Sequence, residues 1–286
     1  MKIAVLSDIH ANFVALQAVS DEIDRWRADH VFVAGDIINR GPRPALCLKF
    51  ILDKAKKDGW KIIRGNHEDY VSSWKNPRKW KFGYAAQVHQ ASKWTYQKIG
   101  SDTTTIDRLA YQYSIWDDDN KEVRIVHASM LGNRDGIYPE TTKIELASKT
   151  GLNTTFPKLA VICCGHTHRP LIRNLFGASV VNVGSAGLPF DGDTRPSYAQ
   201  LTFSNHQWQG RIVRVEYCLE AAIRDFHISG YLADAGPLSK IVLVELKEAR
   251  SLLYYWAKKY QSRAMSGSIS MRESVDEFIF GMNLQS

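Results

Sequence analysis

Polar residues suited to metal binding stand directly behind short apolar runs at five places in the chain. The runs cover residues 2–6, 31–34, 61–63, 123–126 and 159–162, and the polar residues behind them are, in the same order, Asp8 with His10, Asp36, Asn66, His127, and His166 with His168. Such runs are typical of buried strands. In open α/β sheets, ligands bind beyond the carboxyl ends of the strands, so these side chains are predicted to meet at one site.

Asp36 is the centre of this pattern, because it follows Gly35 at the end of the apolar run. Glycine adopts backbone conformations that other residues avoid, so the strand can turn sharply and place Asp36 on a loop tip. His166 and His168 flank a single threonine at a strand end, a spacing typical of metal chelation. Histidine, carboxylate and amide ligands without cysteine argue against a thiolate centre.

The spacing of apolar residues predicts the α/β fold class. Residues 15–27 and 45–57 have helical periodicity, so residues 1–67 are predicted to form a βαβαβ unit of a layered domain. Strands are also predicted at 123–126, 159–163, 179–183 and 198–203, in a second half-sheet to which 211–217 adds an edge strand. The acidic run at 117–120 is predicted to be a hairpin turn.

Two helical segments complete the predicted organisation. Residues 70–116, rich in tryptophan and basic residues, are predicted to be a helical insertion with a helix at 84–98, and strands resume only at Glu122. The insertion is either a substrate cap with stacking aromatics, or a helix pair that buries Trp94, Ile106 and Leu109. The domain is expected to span 1–218, with a C-terminal helical extension at 219–286 packed on it.

The chain carries, in order, the motifs Asp8-x-His10, Gly35-Asp36, Gly65-Asn66-His67-Glu68, His127 and Gly165-His166-x-His168. This set resembles the signature of calcineurin-like metallophosphoesterases. The resemblance implies a four-layer α/β/β/α sandwich of two mixed sheets flanked by helices. It also implies two divalent cations, one held by Asp8, His10, Asp36 and His168, the other by Asp36, Asn66, His127 and His166, with Asp36 as the bridge.

The resemblance further implies catalytic roles for His67, Asp36 and Arg40. Hydrolysis would proceed by attack of a hydroxide that bridges the cations, because coordination lowers the pKa of water towards neutrality. His67 would act as general acid or charge stabiliser, and Arg40 would clamp the phosphate with its guanidinium fork. The cations would be Mn, Fe, Co, Ni or Zn, with Mn favoured.

Asn39 departs from one branch of this family. Protein serine/threonine phosphatases have an aspartate at this position, which pairs with the catalytic histidine, and an asparagine cannot stabilise an imidazolium by charge. Residues 39–42, 182–187 and 195–199 resemble instead the bacterial and archaeal branch of small phosphodiesterases and diadenosine-polyphosphate hydrolases. Asn39, Arg40 and Arg195 are candidate substrate contacts.

The expected function is therefore that of a dinuclear-metal phosphohydrolase acting on a phosphodiester, a phosphomonoester or a nucleoside polyphosphate. Two alternatives stay open: a protein serine/threonine phosphatase-like activity, and a non-catalytic protein-binding scaffold on the same fold. A scaffold has no need of His67, Arg40 or a complete ligand set, and all are present. The expected partner is a phosphorylated small molecule or nucleotide-type substrate, whereas nucleic acid is not indicated.

The net charge and the lengths of the apolar runs indicate what the protein binds and where it is located. The 286-residue chain has a net charge of +7 and a pI near 9.1, which slightly favours phosphate-bearing partners. The apolar run at residues 3–6 is too short for a signal peptide, and no run is long enough to span a bilayer. No membrane partner and a cytoplasmic location are expected.

Overall fold

The computed structural model describes residues 1–76, 83–152 and 158–283. Its strands are β1 (Lys2–Leu6), β2 (His30–Val33), β3 (Lys61–Ile62), β4 (Gln112–Trp116), β5 (Glu122–Val126), β6 (Leu159–Cys164), β7 (Leu171–Leu175), β8 (Ala178–Asn182), β9 (Ser197–Ser204) and β10 (Gln207–Arg214). Its helices are α1 (Phe13–Trp26), α2 (Pro44–Asp58), α3 (Asn66–Ser72), α4 (Gly83–Val88), α5 (Gln90–Lys98), α6 (Thr104–Asp107), α7 (Lys143–Thr150), α8 (Leu219–Ile228), α9 (Tyr231–Asp234), α10 (Ser239–Glu248), α11 (Leu253–Met265) and α12 (Met271–Asn283).

The first sheet has the strand order β10-β9-β1-β2-β3. β1 is parallel to β2 and antiparallel to β9, with Ile3 beside His30 on one side and Leu201 on the other. The assignment of residues 198–203 and 211–217 to the second sheet was therefore wrong, and the edge strand already ends at Arg214. An apolar pattern indicates that a strand is buried, but it does not identify a neighbour that stands at the other end of the chain.

The second sheet has the order β4-β5-β6-β8-β7. The expectation that strands resume only at Glu122 was wrong, because β4 pairs with β5 as an antiparallel hairpin. The turn predicted at residues 117–120 joins these strands, and Oδ1 of Asp117 accepts hydrogen bonds from the N–H groups of Asp119 and Lys121. β4 and β7 were missed since both are edge strands with half-buried side chains, which weakens the apolar alternation.

Strand alternation separates the layers of the molecule. Ile3 and Val5 of β1 pack against Val161 and Cys163 of β6, so the inner faces of the two sheets share one apolar core. The outer face of the first sheet packs on α1 and α2. The outer face of the second sheet packs on α7 through Leu146. These layers confirm the α/β class and the four-layer α/β/β/α sandwich.

Between residues 83 and 98 the inserted segment forms two consecutive helices, α4 and α5, instead of the single helix expected at residues 84–98. Trp94 and Ile106 are buried, while Leu109 is only half-buried. The ring of Trp94 meets that of Tyr231 with a 5.1 Å centroid distance, so this part of the insertion packs on the C-terminal helices. Residues 77–82, which hold part of the tryptophan and basic content of the insertion, lie outside the described residues.

The chain is helical from Leu219 onward. A break at residues 249–252, where Ala249 has a φ of 50°, separates α10 from α11. α8 lies beside α1, and Arg43 bonds Asp225 of α8 at 2.6 Å. The division of the chain at residue 218 stays a prediction. Within the described part of the chain, none of the helices has the length and apolar character needed to cross a membrane.

Candidate metal centre

The candidate residues sit on loops with an unusual backbone. The following residues have a positive φ, between 47° and 72°: Asp8, His10, Asp36, Asn39, Arg40, His166 and His168. This conformation costs residues other than glycine about 1–2 kcal/mol each. Hydrogen bonds between the loops stabilise this conformation. The N–H of Asp8 donates to the carbonyl of Gly35 at 3.1 Å, and the N–H of His10 donates to the backbone carbonyl of Asp36 at 3.0 Å. Strain concentrated in this way is typical of a functional site.

Two glycines of the motifs let the loops approach closely. A Cβ atom on Gly65 would lie 2.1 Å from Oδ1 of Asp36, and one on Gly165 would lie 2.2 Å from Oδ2 of Asp8. Any side chain at these positions would displace a carboxylate. The glycines in Gly65-Asn66-His67-Glu68 and Gly165-His166-x-His168 are therefore required by space.

Asp8, His10 and His168 form the first ligand cluster, with their ligand atoms within 4.8 Å of one another. Oδ1 of Asp8 lies 3.3 Å from Nε2 of His168 and 3.8 Å from Nε2 of His10. The same oxygen is buried and makes no hydrogen bond. A buried carboxylate oxygen without a partner is costly, and a cation among these atoms would satisfy it.

The orientation of the histidines supports cation binding. Nδ1 of His10, His127 and His168 each faces a backbone carbonyl, at Asn39, Ala34 and Leu188. A carbonyl only accepts, so Nδ1 carries the proton and, in the neutral ring, Nε2 presents a lone pair. Nε2 of His10 and Nε2 of His168 are 3.0 Å apart, an arrangement of two lone pairs that a shared cation explains. The residues present therefore fit a divalent metal.

Asp36, His127 and His166 form the second cluster. Oδ1 of Asn66 lies 2.9 Å from Nε2 of His127 and 2.8 Å from Nδ1 of His166, so the amide completes the group. Oδ2 of Asp36 is 3.3 Å from Nε2 of His127 and 3.9 Å from Nε2 of His10. One carboxylate oxygen thus faces both clusters.

Burial and charge set the protonation of the centre. Burial alone would raise the pKa of Asp36, but His127 and His67 hold it well below its usual range. Burial alone would lower the pKa of His127, yet the Asp36 carboxylate raises it to about 10. Burial lowers the pKa of His166 to about 4. Without a cation, the centre therefore holds a proton on His127 and leaves His166 neutral.

His67 is not part of either cluster, but its ring lies within ligand distance of His10 and Asp36, which together with it form a third group. Its Nε2 is 4.0 Å from Oδ2 of Asp36, and its backbone N–H donates to Oδ1 of Asp36 at 2.8 Å. The side-chain nitrogen of Asn39 donates to Nδ1 of His67 at 2.9 Å. Burial lowers the pKa of His67 to about 3. The imidazole is neutral, with its proton on Nε2, towards the metal ligands.

Glu68 has a structural role that the sequence did not reveal. Its buried carboxylate accepts hydrogen bonds from the N–H groups of Asp36, Ile37, Ile38 and Gly65, at 2.8–3.3 Å. It thereby fixes the loop that carries Asp36. Its position three residues after Gly65, at the start of α3, was a usable signal, because glutamate there is typical of a capping box.

Arg40 borders the centre, and Arg195 does not. Arg40 lines a cleft of about 890 Å³ together with His166. Its Nη2 donates to Oε2 of Glu245 at 2.9 Å, a partner that the sequence did not indicate. Arg195 forms ion pairs with Asp193 and Glu216 and is not among the residues described as lining this cleft.

Residues 1–170 match the model of the calcineurin-like phosphoesterase family. The uncharacterized protein MJ0912 of Methanocaldococcus jannaschii is 28% identical over 236 residues, 77% of this chain and 89% of that protein. A metallophosphoesterase structure from Sphaerobacter thermophilus is 25% identical with a TM-score of 0.64, over 87% of this chain and 100% of that one. The hypothetical protein PH1004 of Pyrococcus horikoshii OT3 shares the fold, with a TM-score of 0.73 and 19% identity over 87% of this chain and 99% of its own. The chain belongs to the calcineurin-like phosphoesterase family and is a metal-dependent phosphoester hydrolase.

Proposed function

We propose that this hydrolase cleaves a nucleotide-type phosphodiester or polyphosphate at a dinuclear metal centre. The proposed ligands are Asp8, His10, Asp36, Asn66, His127, His166 and His168. The observation that carries the proposal is the position of Asp36, whose Oδ2 lies 3.3 Å from His127 and 3.9 Å from His10. A carboxylate between two ligand clusters suits two cations about 3.5–4 Å apart. Mn²⁺ is the first choice for reconstitution.

The residues around the two clusters have separate roles in binding the substrate and in stabilising the leaving group. When bound, the cations supply Lewis acidity, which activates water and offsets phosphate charge. The guanidinium of Arg40 binds phosphate oxygens and orients the ester, because its fork matches two of them. His67 donates a hydrogen bond from Nε2 to the leaving oxygen and stabilises its developing negative charge, because the hydrogen bond from Asn39 leaves the ring proton on Nε2. Glu68 keeps Asp36 in place for both clusters.

The cleft beside the centre supports a substrate larger than a phosphate group. Its volume of about 890 Å³ is in the range of small-molecule sites. Its lining includes the arginines Arg40, Arg169 and Arg250 and the aromatic residues Tyr138, Phe190, Tyr254 and Tyr255. Guanidinium groups bind further phosphates, and aromatic rings stack on bases. This combination favours a nucleotide-type ester.

Specific residues weigh against the alternatives. A protein serine/threonine phosphatase mechanism relies on a charged partner for the catalytic histidine, and the partner of His67 is the neutral amide of Asn39. A scaffold has no use for a buried carboxylate oxygen aimed at two histidines, as in Asp8.

A substrate panel tests the proposal. Protein loaded with Mn²⁺ is assayed on p-nitrophenyl phosphate, bis(p-nitrophenyl) phosphate, diadenosine tetraphosphate, cyclic nucleotides and phosphopeptides. Wild type is expected to turn over the diester and nucleotide substrates fastest. Asp36→Asn is expected to abolish turnover and reduce the bound metal, whereas Asp53→Asn, in α2, where Asp53 pairs with Lys49 at the surface, is expected to change neither.

Three results would overturn parts of the proposal. Wild-type protein without turnover on the whole panel contradicts the enzyme. A clear preference for phosphopeptides contradicts the substrate class. Asp36→Asn with unchanged activity and metal content contradicts the dinuclear centre.

A further inference from the structure

Glu245, on the last turns of α10, is a fully buried carboxylate beside the catalytic cleft. Its Oε1 accepts hydrogen bonds from the N–H groups of Leu252 and Leu253, at 2.7 and 2.9 Å. Its Oε2 accepts from Nη2 of Arg40 at 2.9 Å. The backbone at the start of α11 thus immobilises the carboxylate, and the carboxylate in turn holds the arginine.

Arg40 is held on a second side by Phe190. The centre of the guanidinium lies 5.6 Å from the ring of Phe190. That ring stacks on the imidazole of His168, with centroids 4.2 Å apart and planes 12° from parallel. Glu245 and Phe190 therefore fix the guanidinium next to the first ligand cluster, on the wall of the cleft.

We propose that Glu245 is a positioning residue for phosphate binding, acting through Arg40, and that the C-terminal helices are therefore part of the phosphate site. The proposal rests on the phosphate-binding role of Arg40 in the proposed function. A free arginine side chain loses rotamer entropy when it is fixed on binding. Arg40 has lost much of that freedom before the phosphate arrives. A guanidinium has five N–H donors, and Glu245 engages only one nitrogen, so donors remain for phosphate.

A contribution to the stability of the fold does not by itself explain the ion pair between Arg40 and Glu245. Burying two charges costs desolvation energy, and apolar residues of similar volume often stabilise a fold as well or better. Arg43, on the same loop, offers a matched comparison, because it bonds Asp225 of α8 at 2.6 Å. Arg43 lines a different pocket, with Pro42 and Trp94. Asp225 therefore anchors the same loop to the same C-terminal helices without contacting the cleft-lining arginine.

A double-mutant cycle on phosphate affinity tests the proposal. The dissociation constant of inorganic phosphate is measured by titration calorimetry on the Mn²⁺-loaded full chain, for wild type, Arg40→Gln, Glu245→Gln and the double variant. Glu245→Gln is expected to weaken phosphate binding about 10-fold, which corresponds to the loss of one charge-assisted hydrogen bond. The double variant is expected to bind phosphate as Arg40→Gln does, since Glu245 acts through Arg40. Asp225→Asn is expected to bind like wild type.

If the losses of phosphate affinity in the two single variants add up in the double variant, the proposal is overturned. Wild-type phosphate affinity in Glu245→Gln, or a wild-type protein that binds no phosphate, would also overturn it. Should Glu245→Gln not fold, Glu245→Asp keeps the buried charge, but its shorter side chain cannot reach Arg40 and Leu252 together. This variant is then expected to weaken phosphate binding, and unchanged affinity would overturn the proposal. Phosphate binding with the expected pattern but no turnover on any substrate would contradict the proposed function and leave this inference standing.

Discussion

The side-chain amide of Asn39 donates a hydrogen bond to Nδ1 of His67 over 2.9 Å. Thr95 donates to the amide oxygen of Asn39, at 3.4 Å, which is consistent with this orientation of the amide. His67 is thus held as a neutral imidazole with its proton on Nε2. An aspartate at position 39 would instead accept a hydrogen bond from Nδ1–H, and its negative charge would favour the imidazolium.

Asn39→Asp is therefore expected to raise the pKa of His67 by about 1–3 units, the effect of an opposite charge at this distance. The measurement is an NMR titration of the His67 ring in metal-free protein, where burial lowers the wild-type pKa to about 3. Asn205→Asp, in the exposed turn between β9 and β10, adds the same charge elsewhere and is expected to have no effect. An unchanged titration in Asn39→Asp would contradict the assigned tautomer.

Metal binding is expected to release the proton of His127 near pH 7.5, because a cation must displace it. Asp36 raises the pKa of His127, which burial alone would lower, from 6.5 to about 10. The pair between His127 and Asp36 thus stabilises the metal-free protein fully below pH 6.5, and this contribution is lost as the pH rises through 10. Metal affinity is expected to rise over the same window.

Titration calorimetry of Mn²⁺ in two buffers with different ionisation enthalpies measures this proton release. His127→Gln is expected to bind metal more weakly and to release about one proton fewer than wild type. His166→Gln is expected to bind more weakly with the release unchanged, because burial lowers the pKa of His166 to about 4 and its ring is already neutral. Equal proton release in His127→Gln and wild type would show that another group holds the proton.

Glu68→Gln is expected to reduce the free energy of unfolding of metal-free protein by about 3 kcal/mol at pH 8. The amide group replaces one acceptor oxygen, so it leaves buried N–H groups on the Asp36 loop unpaired. Burial and the charge of Asp36 raise the pKa of Glu68 to about 7, so at pH 8 the wild-type carboxylate is ionised. Urea unfolding gives the difference.

Glu145→Gln is the matched control, since Glu145 occupies the same capping position at the start of α7 on the protein surface. It is expected to lose much less stability than Glu68→Gln. Equal losses would mean that Glu68 only caps its own helix.

Gly165→Ala is expected to weaken Mn²⁺ binding at least 10-fold and to destabilise the protein by about 2 kcal/mol. The added methyl group would lie 2.2 Å from Oδ2 of Asp8 and must displace it. Gly281→Ala, in α12 with open space at its Cβ position, is expected to leave metal affinity unchanged. Calorimetry and thermal unfolding check both, and wild-type metal affinity in Gly165→Ala would contradict the close approach.

The sequence predicted those features of the fold that depend on residues close together in the chain. Apolar runs and the polar residues behind them are local, so β1, β2 and the loop of Asp36 could be placed without a structure. The position of β9 in the first sheet could not, because it depends on pairing with β1 across most of the chain. Glu245 was missed for a similar reason: nothing in its own sequence context indicates that α10 folds back onto Arg40.

The candidate ligands come from both layers of the sandwich: Asp8, Asp36 and Asn66 follow strands of the first sheet, and His127, His166 and His168 follow strands of the second. Between the two sheets, the shared core consists of apolar side chains, which attract without direction. A cation shared by both ligand sets would add a directional crosslink at one end of that contact. Loss of the metal would then weaken the contact between the two sheets as well as abolish hydrolysis.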